Sequence, residues 1–249
     1  HTTMLSELNK HERDKNISMI KETHKYIING HSDYISTTTF IKKIFPPISE
    51  DLIIYKILKS TNEETKQKYK GLNKEQIKAK LDILRDASAN LGSTLHEDIE
   101  KYYNNIEVHR DDIEWAYFNQ FKETYKDREP YRTEWMIYDD TYKICGTIDM
   151  VYKNEDGTFD IIDWKRSKNI SLPKSLTKHS NTNYWHYTYQ LNVYKYILEH
   201  NYNITIKNMV IVQMHPNYPT YKTYEVIDLQ EDIIKGIETN INKTEDIII

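Results

Sequence analysis

The chain has 249 residues, with 34 Lys and Arg against 38 Asp and Glu, and its formal net charge is −4. This balance excludes a globally basic nucleic-acid binder, and no apolar run approaches the ~20 residues that a membrane span requires. The single cysteine excludes an internal disulfide and a four-cysteine iron–sulfur cluster built from one chain, and it is typical of a reducing, intracellular compartment.

A chain of this length can bury a full hydrophobic core, so we expect one elaborated domain. Residues 1–3 precede Met4 and are interpreted as a tag remnant. We divide the rest into an N-terminal hairpin and helical region, 4–91, packed on a core of residues 92–249. The abundance of Ile, Asn, Lys and Tyr indicates an AT-rich coding genome, such as that of a virus.

The N-terminal region contains clear turn and capping signals. Asn29-Gly30 is a strong hairpin turn and predicts a hairpin over 23–36. The Ser/Thr cluster at 36–39 is a helix N-cap signal, and Pro46-Pro47 ends the short helix that follows. Two further helices are predicted over 49–60 and 73–90, joined by a charged segment, 61–70, that we expect to be mobile.

Gly92 opens the next predicted helix, with its cap in the residues just after it. His96 lies there beside an apolar stripe that includes Leu95 and Ile99. Taken alone, such a histidine is most simply a hydrogen-bonded core residue. A helix over 111–126 follows, and then a strand pattern over 131–138 that contains Glu134.

Two runs further along predict a pair of antiparallel strands. The first, 145–152, contains Asp149, and the second, 159–165, contains Asp163 and Lys165. Asp156-Gly157 between them is a strong hairpin signal. Side chains alternate along a strand, so Asp163 and Lys165 share a face, and the hairpin can bring Asp149 alongside them.

These residue types suit the cleavage of a phosphodiester. The substrate is anionic, and a divalent cation held by carboxylate oxygens polarises it and lowers the pKa of bound water. A lysine beside the cation can orient or deprotonate that water and offset charge on the phosphorane. The alternative is a buried Asp–Lys ion pair on a strand, which is costly and uncommon in proteins.

Downstream, the pattern of 184–198 predicts a helix whose apolar stripe packs on the sheet. Gln190 and Tyr194 are four residues apart and therefore share a face of it, where Tyr194 is equally well explained as core. Before this helix, 165–179 contains five Lys or Arg and no acidic residue, which suits contact with phosphate, although a solvated loop is the ordinary explanation. Two strands near 206–214 and 221–227 and a helix from about 230 complete the chain.

The order of these features resembles a known family. Gly146-Thr-Ile-Asp149 followed by Asp163-Trp-Lys165 resembles the active-site hairpin of the PD-(D/E)xK nucleases, in their RecB-type exonuclease branch. Ile148 replaces the proline of the family name. The segment 92–100 with His96, and Gln190-x-x-x-Tyr194, resemble the flanking helices of that branch. The match covers roughly residues 92–200, with a weaker one at 36–39.

The resemblance implies an α/β fold, with a restriction-endonuclease-like core in which helices flank a central mixed β-sheet, and a largely helical N-terminal region. It implies one or two Mg²⁺ or Mn²⁺ ions and no iron–sulfur cluster. The expected metal ligands are His96, Asp149, Asp163 and the Trp164 carbonyl. Glu134 is expected as a further acidic group, although a solvent-facing strand position explains it about as well. The expected DNA-binding residues are Gln190, Tyr194, Arg166, Lys168, Ser36 and Thr38.

The function implied is a metal-dependent DNA exonuclease of replication, recombination or repair, acting on single-stranded DNA or DNA ends. Lys165 would position and activate the attacking water, leaving a 5′-phosphate. One alternative is a structure-specific endonuclease, such as a junction resolvase or a restriction-like enzyme. Another is a catalytically silent DNA-binding module. The expected partners are DNA and other replication or recombination proteins, with no membrane, and a ring-forming trimer and a monomer with a threaded channel remain equally open.

Overall fold

The computed structural model describes residues 4–170 and 182–243. The helices are α1 (Leu5–Leu8), α2 (Thr37–Ile44), α3 (Glu50–Leu58), α4 (Glu63–Lys68), α5 (Lys74–Tyr103), α6 (Ile113–Thr124), α7 (Asn183–Asn201) and α8 (Gln230–Asn240), with a 3₁₀ turn at Glu12–Asn16. The strands are β1 (Ile17–Ile20), β2 (Lys25–Ile28), β3 (Ile35–Ser36), β4 (Glu129–Asp139), β5 (Ile144–Lys153), β6 (Phe159–Lys165), β7 (Ile206–Gln213) and β8 (Lys222–Glu225).

A mixed six-stranded sheet forms the centre of the protein. Strands β4, β5 and β6 are consecutive antiparallel neighbours, β7 joins β6 in parallel, and β8 is antiparallel to β7. The parallel β6–β7 pair is connected through α7, as parallel pairs require a crossover. The predicted restriction-endonuclease-like α/β fold, with mixed pairing in a sheet flanked by helices, is thus confirmed.

One edge of strand β5 pairs with two different strands. Its first residues pair in parallel with β3, where Ser36 lies opposite Cys145, and its last residues pair with β6, starting where Met150 lies opposite Ile162. Between these points, residues 146–149 have no strand partner on that edge within the part of the chain that the structure describes. The sheet therefore opens into a fork, and Asp149 lies at its apex.

Two helical layers cover the sheet and bury its apolar residues. On one face, α2, α7 and α8 pack on side chains that include Ile148, Ile161 and Ile211. On the other, α5 and α6 pack on Met150, Ile162 and their neighbours. Strand β6 is apolar on both faces because both faces are covered, which explains its near-continuous hydrophobic pattern.

The hairpin predicted over 23–36 is wrong in its pairing. The Asn29-Gly30 turn is present, with positive φ at both residues and an Ile28–His31 bridge across it. However, β2 pairs with the preceding strand β1, and β3 pairs with β5 in the central sheet. The polar residues 31–33 after the turn offer little apolar surface to extend a ladder, whereas Ile17 and Ile28 are both buried against the sheet.

The helix predicted to begin at Gly92 is instead the second half of α5. That helix starts at Lys74, where Asn73 and Gln76 form a capping box, and it continues through Gly92 without interruption. A glycine inside a helix is unfavourable by only about 1 kcal/mol, which is too little to end a helix held by packing. The segment 61–70, expected to be mobile, contains the short helix α4.

The remaining elements are confirmed. Ser36 caps α2, since its Oγ accepts a hydrogen bond from Thr39 N at 3.2 Å. Helices α3, α6, α7 and α8 and strands β4 to β8 occupy the regions predicted for them. Among the described residues, no helix is long and apolar enough to cross a membrane.

Gly146 lies where β5 closely approaches α2 and α7, and its substitution tests this packing. A Cβ at this position would lie 2.7 Å from Tyr194 Cε1 and 2.8 Å from Thr37 Oγ1, so we expect Gly146→Ala to destabilise the protein by about 1–3 kcal/mol. Gly92→Ala is the matched control, because a Cβ there meets nothing within 4 Å; it should stabilise α5 by about 0.5–1 kcal/mol. Denaturant unfolding of both variants measures the difference, and equal stabilities would contradict the close approach.

Candidate active site

Three carboxylates stand side by side on neighbouring strands at the fork. Thr133 pairs with Met150 and Trp135 with Ile148, which places Glu134 opposite Asp149. The β5–β6 register, extended by one residue, places Asp149 opposite Asp163. Like charges on directly opposed residues destabilise a sheet, so packing alone gives no reason for this row.

The backbone is irregular at the same level. Glu134 has φ of +42°, which is uncommon for any residue other than glycine. Residues 133 and 135 would share a face in a regular strand, but Trp135 packs in the α7 layer while Thr133 accepts a hydrogen bond from Asn104 at the end of α5. Strand β4 therefore exchanges its faces at Glu134, and the carboxylate is turned toward the site.

His96 reaches the row from α5. Its Nε2 lies 2.8 Å from the Trp164 carbonyl, and its Nδ1 lies 3.6 Å from Asp149 Oδ1. A carbonyl only accepts, so Nε2 carries the proton and a neutral ring keeps the lone pair of Nδ1 on the carboxylate side. Histidines that bind metals commonly donate their second N–H to a carbonyl in this way.

Asp149 is held by the backbone of the opposite strand. Trp164 N donates to Asp149 Oδ2 at 2.9 Å, across the fork where the β5–β6 ladder has ended. The Trp164 backbone therefore contacts two site residues, because its N–H donates to Asp149 and its carbonyl accepts from His96. This fixes the spacing between α5, β5 and β6.

Lys165 is the cation of the site. Its Nζ lies 3.0 Å from Asp163 Oδ2 and 3.4 Å from Gln190 Oε1, and it lies over the Tyr187 ring at 4.4 Å. Gln190 Nε2 in turn donates to the Tyr194 hydroxyl at 2.9 Å. Gln190 and Tyr194 thus form a chain of contacts that orients the lysine, and Tyr194 is also buried in the core.

Burial and repulsion from neighbouring carboxylates hold Asp149 and Glu134 toward their protonated forms. Burial, with the nearby Asp163 and Glu134, raises the pKa of Asp149 well above its ordinary value. Burial, followed by Glu100 and Asp163, raises the pKa of Glu134 to about 8. Two groups with pKa values perturbed in this way by burial and by each other are typical of a functional site.

The basic groups of the site respond differently to burial. It lowers the pKa of His96, so the imidazole is neutral near pH 7, the form that binds a metal. It also lowers the pKa of Lys165, but the attraction of Asp163 and Asp149 is larger in sum, and the net pKa is raised. Lys165 is therefore an ammonium ion in the metal-free site.

The donor set fits a divalent cation. Ligand atoms of His96, Glu134 and Asp149 lie within 4.8 Å of one another, and Glu134 Oε1 is buried without a hydrogen-bond partner among the described residues. Two carboxylates and a neutral imidazole are ligands that Mg²⁺ and, with its nitrogen donor, Mn²⁺ accept. Glu134 is half-buried with its carboxylate beside Asp149, which favours its expected role as a further acidic group of the site over a solvent-facing strand position. Asp163 lies next to this trio and contacts Lys165.

A cavity of about 450 Å³ opens onto the site. Its walls include the predicted residues Ser36 and Thr38, at the N-terminus of α2, as well as Asp149, Lys165 and Gln190. A cavity of similar volume beside Tyr102 and Tyr125 contains none of these site residues.

The other predicted DNA-binding residues are placed less directly. Arg166 is paired with Glu114 at 3.3 Å, with both side chains largely buried. The Lys168 carbonyl accepts hydrogen bonds from Gln213 and Tyr218. The part of the basic run beyond Ile170 lies outside the described residues up to 181.

Three further residues lie at the site without any sequence signal that placed them there. Thr23, His24 and Tyr26 line the same cavity from the β1–β2 hairpin. The Tyr26 hydroxyl lies 2.6 Å from Thr147 Oγ1, two residues before Asp149. Only the pairing of β1 with β2 brings this hairpin to the site, and the Asn29-Gly30 signal pointed to a different pairing.

A comparison with family models decides the family. The model described as the PD-(D/E)XK nuclease superfamily matches residues 56–246, which is most of the chain. The chain belongs to this superfamily. PD-(D/E)XK nucleases use divalent metals, in agreement with the trio at the fork.

The solved structures to which this PD-(D/E)XK protein is similar include the following three. SSO0001 is 18% identical, with 85% of this chain and 76% of that chain covered and a TM-score of 0.37. LHK-Exo in complex with dAMP is 12% identical, with 84% of each chain covered and a TM-score of 0.42. A candidate exonuclease from Eubacterium rectale is 15% identical, with 84% and 79% covered and a TM-score of 0.38. No curated protein is similar enough in sequence to match the chain.

The raised carboxylate pKa values predict how stability depends on pH. The folded pKa of Glu134 is about 8 against 4.5 for the free group, so unfolding releases a proton between these values and metal-free stability should fall as pH rises through this range. Asp149 is shifted in the same direction. Thermal unfolding in EDTA across this range measures the effect, and Mn²⁺ should raise the melting temperature more near pH 8 than near pH 5.

Glu134→Gln is the control for that measurement. It keeps the shape of the side chain and removes its titration, so the fall in melting temperature with pH should become shallower and the effect of Mn²⁺ smaller. A wild-type melting temperature that rises toward pH 8 in EDTA would contradict the clustered carboxylates.

Proposed function

We propose that this PD-(D/E)XK protein is a divalent-metal-dependent DNA exonuclease of the RecB type, acting on single-stranded DNA or on DNA ends in replication, recombination or repair. The observation that supports it most is the row of Glu134, Asp149 and Asp163 beside a neutral His96 and a cationic Lys165. A silent DNA-binding module would have no need for this row, because it costs stability and strengthens no packing.

His96, Glu134, Asp149 and Asp163 are the residues that we propose as metal ligands, for one or two ions of Mg²⁺ or Mn²⁺. A bound ion supplies Lewis acidity toward the phosphate and lowers the pKa of a bound water. His96 offers Nδ1, since its Nε2 donates to the Trp164 carbonyl. We therefore assign that carbonyl the role of orienting His96.

Lys165 is proposed as the residue that positions the attacking water. Its ammonium donates hydrogen bonds and carries positive charge, so it can hold the water oxygen and offset the charge that develops on the phosphate. Gln190 Oε1 limits the positions that Nζ can take, and Tyr194 limits those of Gln190. Both residues then act on cleavage through the lysine.

Binding of the DNA strand is proposed to involve the N-terminus of α2. Ser36 and Thr38 present hydroxyls to the cavity, and the positive end of a helix dipole favours a phosphate there. Lys168 and Arg166 follow the catalytic lysine in the chain and would contact the backbone outside the cavity. For Arg166 this requires that it leave Glu114.

Replacement of the lysine tests the chemistry. We expect Lys165→Ala to lower kcat by about 10²–10⁴-fold, because the hydrogen-bond donor that positions the water and offsets the developing charge is lost. Folding and DNA binding should be retained, as measured by thermal unfolding and by fluorescence anisotropy with labelled DNA. Lys207→Ala, at an exposed position on β7, removes the same charge and should leave cleavage unchanged. Full activity of Lys165→Ala would refute the assigned role.

Linear and closed circular single-stranded DNA distinguish the two kinds of nuclease. In Mn²⁺ or Mg²⁺ we expect end-labelled linear strands to be degraded and circles to be spared, with no cleavage in EDTA. Cleaved circles would instead support a structure-specific endonuclease. Binding without cleavage in either metal would support a silent module.

A further inference from the structure

The active-site cavity has one wall that takes no part in the chemistry proposed above. Thr23, His24 and Tyr26 of the β1–β2 hairpin line it together with the catalytic residues and the N-terminus of α2. We propose that this hairpin is a strand-selecting wall, which admits a single nucleic-acid strand, excludes duplex, and binds a phosphate next to the scissile one through Thr23 and His24. The proposal rests on the proposed nuclease function.

Buried residues at the end of the hairpin away from its loop fix this wall to the central sheet. Ile17 and Ile28 pair with each other across the two strands and are buried in a cluster with Tyr138 and Cys145. Asn29 N donates to Asn16 O at 2.8 Å just beyond this pair. A strand pair held in this way keeps its loop in one place, which a recognition surface requires.

A second attachment lies close to the catalytic residues. The Tyr26 hydroxyl contacts Thr147 Oγ1 at 2.6 Å, and Thr147 lies on the unpaired edge of β5 within the fork. Tyr26 therefore fixes the wall at a set distance from Asp149. We assign Tyr26 a positioning role and leave contact with the strand to the loop residues before it.

The functional groups that the hairpin contributes to the cavity differ from those on the catalytic side, which forms its floor. The carboxylates that line the cavity, Asp149 and Asp163, are both on the catalytic side. The other lining groups include the Thr23 hydroxyl and the His24 imidazole from the hairpin and the hydroxyls of residues 36–39. Thr23 and His24 are exposed, so their donors are accessible to a ligand. Hydrogen-bond donors around an acidic, metal-binding floor suit a strand that is held by phosphates on either side of the one being cleaved.

The size of the cavity favours a single strand. Its volume of about 450 Å³ is that of a sphere about 10 Å across. One groove of B-DNA is already about 12 Å wide, and a duplex is wider than its groove, so a space of this size holds part of one strand and not a whole duplex while the hairpin keeps its position. Selection against duplex then depends on the wall and not on the catalytic residues.

Two variants remove the wall in different ways. His24→Ala removes one donor, and replacement of residues 21–24 by Asn-Gly shortens the loop, while a two-residue turn can still join Ile20 to Lys25. Lys25→Ala is the matched control, since Lys25 is an exposed neighbour that does not line the cavity. Thermal unfolding establishes that each variant is folded.

For His24→Ala we expect KM for single-stranded DNA to rise about tenfold with kcat retained, which corresponds to the loss of one hydrogen bond to a charged group. The shortened loop should raise KM similarly and also increase cleavage of blunt duplex relative to single strand. Lys25→Ala should change neither. An unchanged KM and an unchanged strand preference in both folded wall variants would overturn the proposal.

Failure of the nuclease function gives a separate result. If the wild-type protein cleaves nothing, anisotropy in EDTA still compares its affinity for single-stranded and duplex DNA. Weaker single-strand binding by His24→Ala than by Lys25→Ala would support the wall even then. Equal binding of both strand types by the wild-type and shortened-loop proteins would overturn it.

Discussion

Repulsion among Glu134, Asp149 and Asp163 is the constraint around which the site is arranged. These residues occupy one level of three neighbouring strands, with Asp163 buried and Glu134 and Asp149 half-buried, where water screens their charges less than it does in bulk. Within the described residues, Lys165 is the cation in direct contact with the row. A single ammonium offsets about one of three negative charges, so the metal-free site favours protonated carboxylates. A divalent ion removes that cost, and metal binding and folding are therefore coupled.

The fork in the sheet allows the row to exist. Had β5 and β6 remained paired past Met150, the Trp164 amide would have bonded to strand backbone and not to Asp149. The separation also leaves an edge of β5 for β3, and β3 leads directly into α2. As a result, a hydroxyl-bearing helix N-terminus that lies more than a hundred residues earlier in the chain reaches the cavity. One departure from regular pairing thus brings together the proposed metal ligands and the proposed phosphate-binding groups.

The sequence was sufficient where local rules decide the structure. Period-2 alternation placed Asp163 and Lys165 on one face, and the four-residue spacing placed Gln190 beside Tyr194; both are observed. The sequence was insufficient where pairing between segments that are distant in the chain determines the structure. The environment of Glu134 depends on its left-handed backbone conformation, for which the sequence around it contains no signal. The hairpin at 17–28 depends on the pairing of β2 with β1, which precedes the stronger Asn29-Gly30 turn signal in the chain. The predicted helix start at Gly92 was wrong for a related reason, since the packing of α5 outweighs the small unfavourable helix propensity of glycine.

Affinity for nucleic acid must arise locally in a chain with a net charge of −4. The basic run after β6 contributes less to it, within the described residues, than its composition suggests. Lys165 is paired with Asp163, and Arg166 with Glu114, so neither is a free cation for the backbone. Hydroxyls and the proposed metal ligands His96, Asp149 and Asp163 are then among the groups that line the cavity. Contacts of this kind with phosphate release few counterions, so in the proposed function shape and metal, more than bulk electrostatic attraction, select the nucleic acid.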